Sequence, residues 1–239
     1  MINKVRIGNQ RISYEQAKEM LFPELIPQNG NETILSKHPH DKVEDLAVVY
    51  RLDLHSDNRA MVSAHVTQEL LDAFGVSAEQ MKKDALEYAP LTHPATLRSM
   101  EEVLSDMMGD MPVPIPDDRQ SKLYVASTES MNRGAGVIIY PGFLQQASEI
   151  IGGSFFILPS SIHELLFQKD TGDINKQELA EIVRSVNAAE VSLEEQLSDN
   201  VYHYDSKERL FELAEKYEAR KSEQQTRHSE KGDLIWRTI

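Results

Sequence analysis

Three times along this chain, two β-rich runs divided by a short turn are followed by a helical period. Asp45 to Leu54 (DLAVVYRLDL) and Arg59 to Val66 (RAMVSAHV) flank His55-Ser56-Asp57-Asn58. Lys122 to Thr128 (KLYVAST) and Ala135 to Tyr140 (AGVIIY) flank Asn132-Arg133-Gly134, and Ser154 to Leu158 (SFFIL) and His163 to Gln168 (HELLFQ) flank Pro159-Ser160-Ser161. Connections this short join antiparallel neighbours, because parallel strands need a crossover of roughly a dozen residues. The pattern predicts an α+β fold: a mainly antiparallel mixed sheet built from β-hairpin-then-helix units, with helices largely on one face. Similarity between the units is slight, Asn58-Arg59-Ala60 against Asn132-Arg133-Gly134-Ala135 being the best overlap, so a common local solution explains the recurrence better than duplication.

Helix starts are marked by Ser or Asn with Glu or Gln three positions on, a spacing that lets each side chain bond the other's backbone amide. Ser13 with Gln16, Ser77 with Gln80, Asn175 with Glu178 and Ser192 with Glu195 fit it. Leu179, Ile182, Val183 and Val186 then predict one apolar helical face, and Met100, Val103, Leu104, Met107 and Met108 a second, both read as core. Leu70, Leu71 and Phe74, stopped by Gly75, predict a shorter helix, and Phe143 to Ile151 another.

The prolines at 112, 114 and 116 forbid helix and disfavour a central strand, so 109–121 reads as a linker or surface loop. It divides a hairpin and helical lobe (1–108) from a second hairpin and helix lobe (122–205), unless the whole is one domain. A partly exposed helical tail (206–239) follows, its apolar stripe Leu210, Leu213, Ala214 and Tyr217, with Leu234, Ile235 and Trp236 free to dock. The formal charge of -14 repels phosphate backbones and anionic membranes, and no apolar run reaches the roughly 20 residues of a membrane span. The absence of Cys excludes disulfides, thiolate metal sites and a Cys nucleophile. A cytoplasmic protein is expected, one that contacts neither nucleic acid nor membrane directly.

Four clusters carry residue types capable of chemistry. Ser161, His163 and Glu164, with Ser160 beside them and Asp199 as a distant complement, contain what a hydrolytic site needs: a hydroxyl, a base and an orienting carboxylate. On a strand, however, His163 and Glu164 diverge to opposite faces, and there is no Gly-x-Ser-x-Gly elbow, which favours a structural turn. His38, His40 and Asp41, with His55 and His65 as additions, are the candidate metal ligands, although Pro39 favours a capping loop. Tyr202 and Tyr204 share a strand face and, with Asn187, are the candidate ligand contacts; the alternative is an edge strand covering the core. Gly134-x-Gly136 is a fragment of a phosphate-binding pattern, better read as a hairpin turn.

Taken in order, His38-Pro39-His40, Asp45-Leu46-Ala47-Val48-Val49-Tyr50, Gly134-Ala135 with Tyr140, Leu158-Pro159-Ser160-Ser161-Ile162-His163-Glu164, Val186-Asn187 and Leu197-Ser198-Asp199-Asn200-Val201-Tyr202-His203-Tyr204 resemble the family catalogued as domain of unknown function 5688, found mainly in gut-dwelling clostridia and relatives. The resemblance implies a bacterial protein shortened at its amino terminus, and no known activity, substrate or cofactor. The functional expectation is an acidic protein-interaction or regulatory module without catalytic activity or cofactor and with a protein partner. A hydrolase using Ser161 or a metal-bound water near His163 and Glu164, and a small-ligand sensor, are the alternatives.

Overall fold

The computed structural model describes residues 4–7, 10–56, 61–108 and 123–236. The turn at Asp57-Asn58, the loop expected at 109–121, the extreme amino terminus and the side chains of Leu234, Ile235 and Trp236 lie outside the described residues.

The chain opens with a small ladder, β1 (Lys4–Ile7) with β2 (Gln10–Ser13), and the short helix α1 (Tyr14–Ala17), where Gln16 accepts from the Ser13 amide at 3.1 Å. β3 (Leu21–Pro27), α2 (Glu32–Leu35), β4 (His40–Val43), β5 (Leu46–Ser56) and β6 (Met61–His65) follow. The long strand β5 holds β3 along one edge and β4 then β6 along the other, all antiparallel, so the first expected hairpin forms. Next come α3 (Gln68–Phe74) and α4 (Ala78–Thr92). α3 stops where Gly75 takes φ 73°, and the Ser77 hydroxyl caps α4 at the Gln80 amide.

The second sheet is built from β7 (Ala95–Ser99), β8 (Leu123–Thr128), β9 (Phe155–Pro159), β10 (Leu165–Lys169), β11 (Tyr202–Asp205) and β12 (Leu210–Leu213), with α5 (Met100–Met108), α6 (Phe143–Ile151), α7 (Lys176–Glu190) and α8 (Ala214–Trp236) between and after them. Its order is β12-β11-β9-β10-β8-β7, antiparallel throughout. One face carries Phe155, Ile157, Leu165 and Phe167, which share a single core with Leu25, Val48, Tyr50 and Leu52 of the first sheet. The opposite face, Phe156 and Leu158, is covered by Leu179 and Val183 of α7 and by Ala214 of α8. α6 lies on the core side, Phe143 against Phe167. Strand β7 belongs to the amino-terminal half yet pairs in this sheet, so the halves flanking 109–121 share strands as well as core.

Five local expectations are corrected. Ala135 to Tyr140 is no strand: Gly134–Ile139 is a buried 3-10 helix, and β8 pairs with β7 and β10 instead. A short run of buried apolar residues suits either form, and here close approach decides. A Cβ on Gly134 would stand 2.5 Å from the Thr128 amide nitrogen, and one on Gly136 would meet the Pro23 carbonyl. Ser192 starts a turn rather than a helix, since the Ser192 hydroxyl and His163 hold the Glu195 side chain. Leu210 and Leu213 belong to β12, so the last helix begins at Ala214 and β11 is no edge strand. In α5 only Val103 is buried, with Met107 78% exposed. In α7, Leu179 and Val183 are buried but Ile182 and Val186 are 53% and 39% exposed. Asn187, 3% exposed, takes the inward position instead, because its amide nitrogen donates to the Ser198 carbonyl (3.0 Å) and Asp199 Oδ1 (2.8 Å).

Candidate functional site

The turn after β9 is a joint between three segments. The Ile162 and His163 carbonyls accept from the Ala135 and Gly134 amides, the His163 carbonyl also accepts from the Ser127 hydroxyl at 2.8 Å, and the Ile162 amide donates to the Glu195 carbonyl. The His163 ring is committed at both nitrogens. Nδ1 accepts from the Arg133 amide at 3.1 Å, which leaves the proton of the neutral ring on Nε2, facing Glu195 Oε1 at 3.2 Å. Hydrogen bonds from Ser192 and His163 hold the Glu195 carboxyl below the usual carboxylate range. Ser161 Oγ accepts from the backbone amide of His163, not from its ring, and Ser160 reaches Glu164 at 3.4 Å. Asp199 is bonded to Asn187 instead, so the structure does not bring Ser161, His163, Glu164 and Asp199 into one constellation.

A second joint centres on Asp45, in the turn between β4 and β5. Its carboxylate accepts from Tyr202 (2.6 Å), Ser198 (2.6 Å) and Asn200 (3.1 Å). Burial and the bond to Asp45 hold the Tyr202 phenol far above its ordinary range, so it stays a donor. Tyr204 stacks at a tilt on Phe155, 5.3 Å between centroids. Both tyrosines, at 1% and 4% exposure, face the core rather than a cavity.

His40 and Asp41 are adjacent on a strand and point to opposite faces. Asp41 binds Lys82 and the Tyr50 hydroxyl, while the Nδ1 atoms of His38 and His40 face carbonyl oxygens. Among the described residues no three His, Asp or Glu side chains are placed to hold a metal ion.

The face of the first sheet opposite Val48, Tyr50 and Leu52 carries a largely buried polar cluster that sequence reasoning missed. Glu24, 1% exposed, lies between Arg51 (3.0 Å) and Arg133, whose αL backbone (φ 51°) is held by this ion pair and by His163. Arg51 also donates to Ser63 and, at 2.5 Å, to His65 Nε2. Burial, then the charges of Arg51 and His38, push His65 down to about 4. Burial also lowers His93, against the pull of Asp53 at 3.2 Å. The available signal was polar residues two apart inside apolar strand runs: Arg51 and Asp53, Ser63 and His65.

Helix α7 presents side chains outward on both of its flanks. Toward α8 it borders a groove of about 470 Å³ whose floor is Ala180, Val201, Leu213 and Ala214. On its other flank Ile182 and Val186, 53% and 39% exposed, stand one turn apart and form a short apolar ridge. Glu178 and Glu190, both exposed, stand at the two ends of that ridge in the same i, i+4 row. No helix among the described residues is long and apolar enough to cross a membrane.

No curated protein and no solved structure matches the chain. A family model does match, across residues 4–206, a span that contains every element from β1 to β11 and both joints, and by that match the chain belongs to the family of unknown function DUF5688.

Proposed function

We propose that this chain is a non-catalytic protein-interaction or regulatory module, acidic and cytoplasmic, that docks a protein partner on α7. The observation that carries the reading is the apolar ridge of Ile182 and Val186, which is left in water while the neighbouring Leu179 and Val183 are buried. Exposed apolar side chains aligned on one element and rimmed by charge are characteristic of association surfaces. The polar residues that suggested chemistry support it from the other side, since His163, Asp199 and Asn187 all have partners inside the fold. The formal charge of -14 disfavours nucleic acid and favours a partner with a basic face.

Capture from a host lysate with the wild-type chain and with Ile182→Ser/Val186→Ser tests the reading. Wild type should enrich a set of proteins that the double variant does not. Identical capture by the two would remove α7 from the account. A fluorophosphonate and esterase screen with Ser161→Ala as control tests the competing hydrolase: a hydrolytic signal lost in that variant would replace the interaction reading.

A further inference from the structure

We infer that the partner of this face is a basic amphipathic helix, laid along α7 with its apolar side on Ile182 and Val186 and its cationic side chains against the carboxylates of Glu178 and Glu190. The inference rests on the interaction reading and adds the chemistry of the partner.

The shape of the surface points to a helix. Ile182 and Val186 form an i, i+4 ridge, and ridges of this spacing pack into the grooves of a second helix. An extended peptide would instead seek free strand backbone, which α7 does not offer. Charge fixes the sign. Glu178 stands one turn before Ile182 and Glu190 one turn after Val186 in the same row, both exposed. The basic residues of α7, Lys176 and Arg184, lie on the opposite flank, where they line the groove toward α8 together with Glu181, Glu215 and Glu218. A neutral or acidic helix would strip water from the Glu178 and Glu190 carboxylates without supplying partners, whereas lysines or arginines would pair with them. A second copy of the chain would bring the same carboxylates face to face, which repels.

The test is fluorescence anisotropy of the full chain with three labelled synthetic peptides of about 15 residues, a length that matches α7 at roughly 1.5 Å per residue. One is a Leu/Lys amphipathic helix, the second its Leu/Glu counterpart, and the third has the Leu/Lys composition with the leucines scattered around the helix. The first should bind at least about tenfold tighter than the other two, and Ile182→Ser/Val186→Ser should weaken it about tenfold without changing charge. Glu178→Gln/Glu190→Gln should weaken it and reduce its dependence on salt. Equal binding of the three peptides, or binding indifferent to the serine variant, overturns the inference. If the Leu/Lys helix fails while lysate capture still depends on Ile182 and Val186, the helix inference falls and the interaction reading survives. If neither depends on the ridge, both fall.

Discussion

The Tyr202 hydroxyl donates to Asp45 Oδ1 at 2.6 Å across a sequence separation of 157 residues, fastening the turn between β4 and β5 to the second sheet. Ser198 and Asn200 converge on the same carboxylate, so two of the segments that make the chain recognisable, around Asp45 and around Ser198 to Tyr204, are two sides of one joint. The same holds for Gly134-Ala135 and Ile162-His163, where the first pair's amides donate to the second pair's carbonyls.

Gly134 is required by space. A Cβ there would stand 2.5 Å from the Thr128 amide nitrogen and 2.9 Å from the His163 carbonyl oxygen, both backbone atoms with no freedom to retreat. Gly134→Ala should lower the unfolding free energy by about 3 kcal/mol or more in urea titration. Gly30→Ala, where φ is +81° but nothing lies within 4 Å, should cost about 1 kcal/mol, from backbone conformation alone.

His163 should matter through what it accepts. His163→Ala strands the Arg133 amide and frees Glu195, and is expected to destabilise by about 2 kcal/mol. His163→Asn places an oxygen where Nδ1 was and should recover about half of that loss. Equal loss in the two variants would mean that the acceptor to Arg133 is not what His163 contributes.

Acidification should weaken the fold through His65. Its folded value is about 4, against about 6.5 in an unfolded chain, so on lowering pH the unfolded state takes up the proton first. The stability is complete above about pH 6.5, declines as pH falls, and its loss is complete below about pH 4. Allowing for partial exposure, this amounts to roughly 1–2 kcal/mol. His65→Gln retains an acceptor for Arg51 without the titration, and its urea midpoint should fall less over that interval. Parallel pH profiles for variant and wild type would contradict the assignment.

How much of this was legible in the sequence follows from how local each determinant is. The hairpin of β9 and β10, the starts of α4 and α7 and the stop of α3 are set by residues a few positions apart, and all were readable. The 3-10 helix at Gly134 was not, since the space that decides it belongs to Pro23 and Thr128. Nor was Glu24, an acid within a strand of otherwise apolar and proline residues, which Arg133 pairs with from 109 residues away. The exposed ridge of α7 was hidden by Asn187. Four apolar side chains describe a broad stripe, and the bonds of Asn187 to Ser198 and Asp199 help turn the Leu179 and Val183 side of it inward.

The central claim, that the recognisable residues serve as joints of the fold, is tested most directly by a double-mutant cycle on Asp45 and Tyr202 in urea. Asp45→Ala should lose about 3 kcal/mol and Tyr202→Phe about 1–2 kcal/mol, with a coupling of at least about 1 kcal/mol, because each removes the same hydrogen bond. Single losses below about 0.5 kcal/mol that simply add would contradict the claim and return Tyr202 to the candidate ligand contacts.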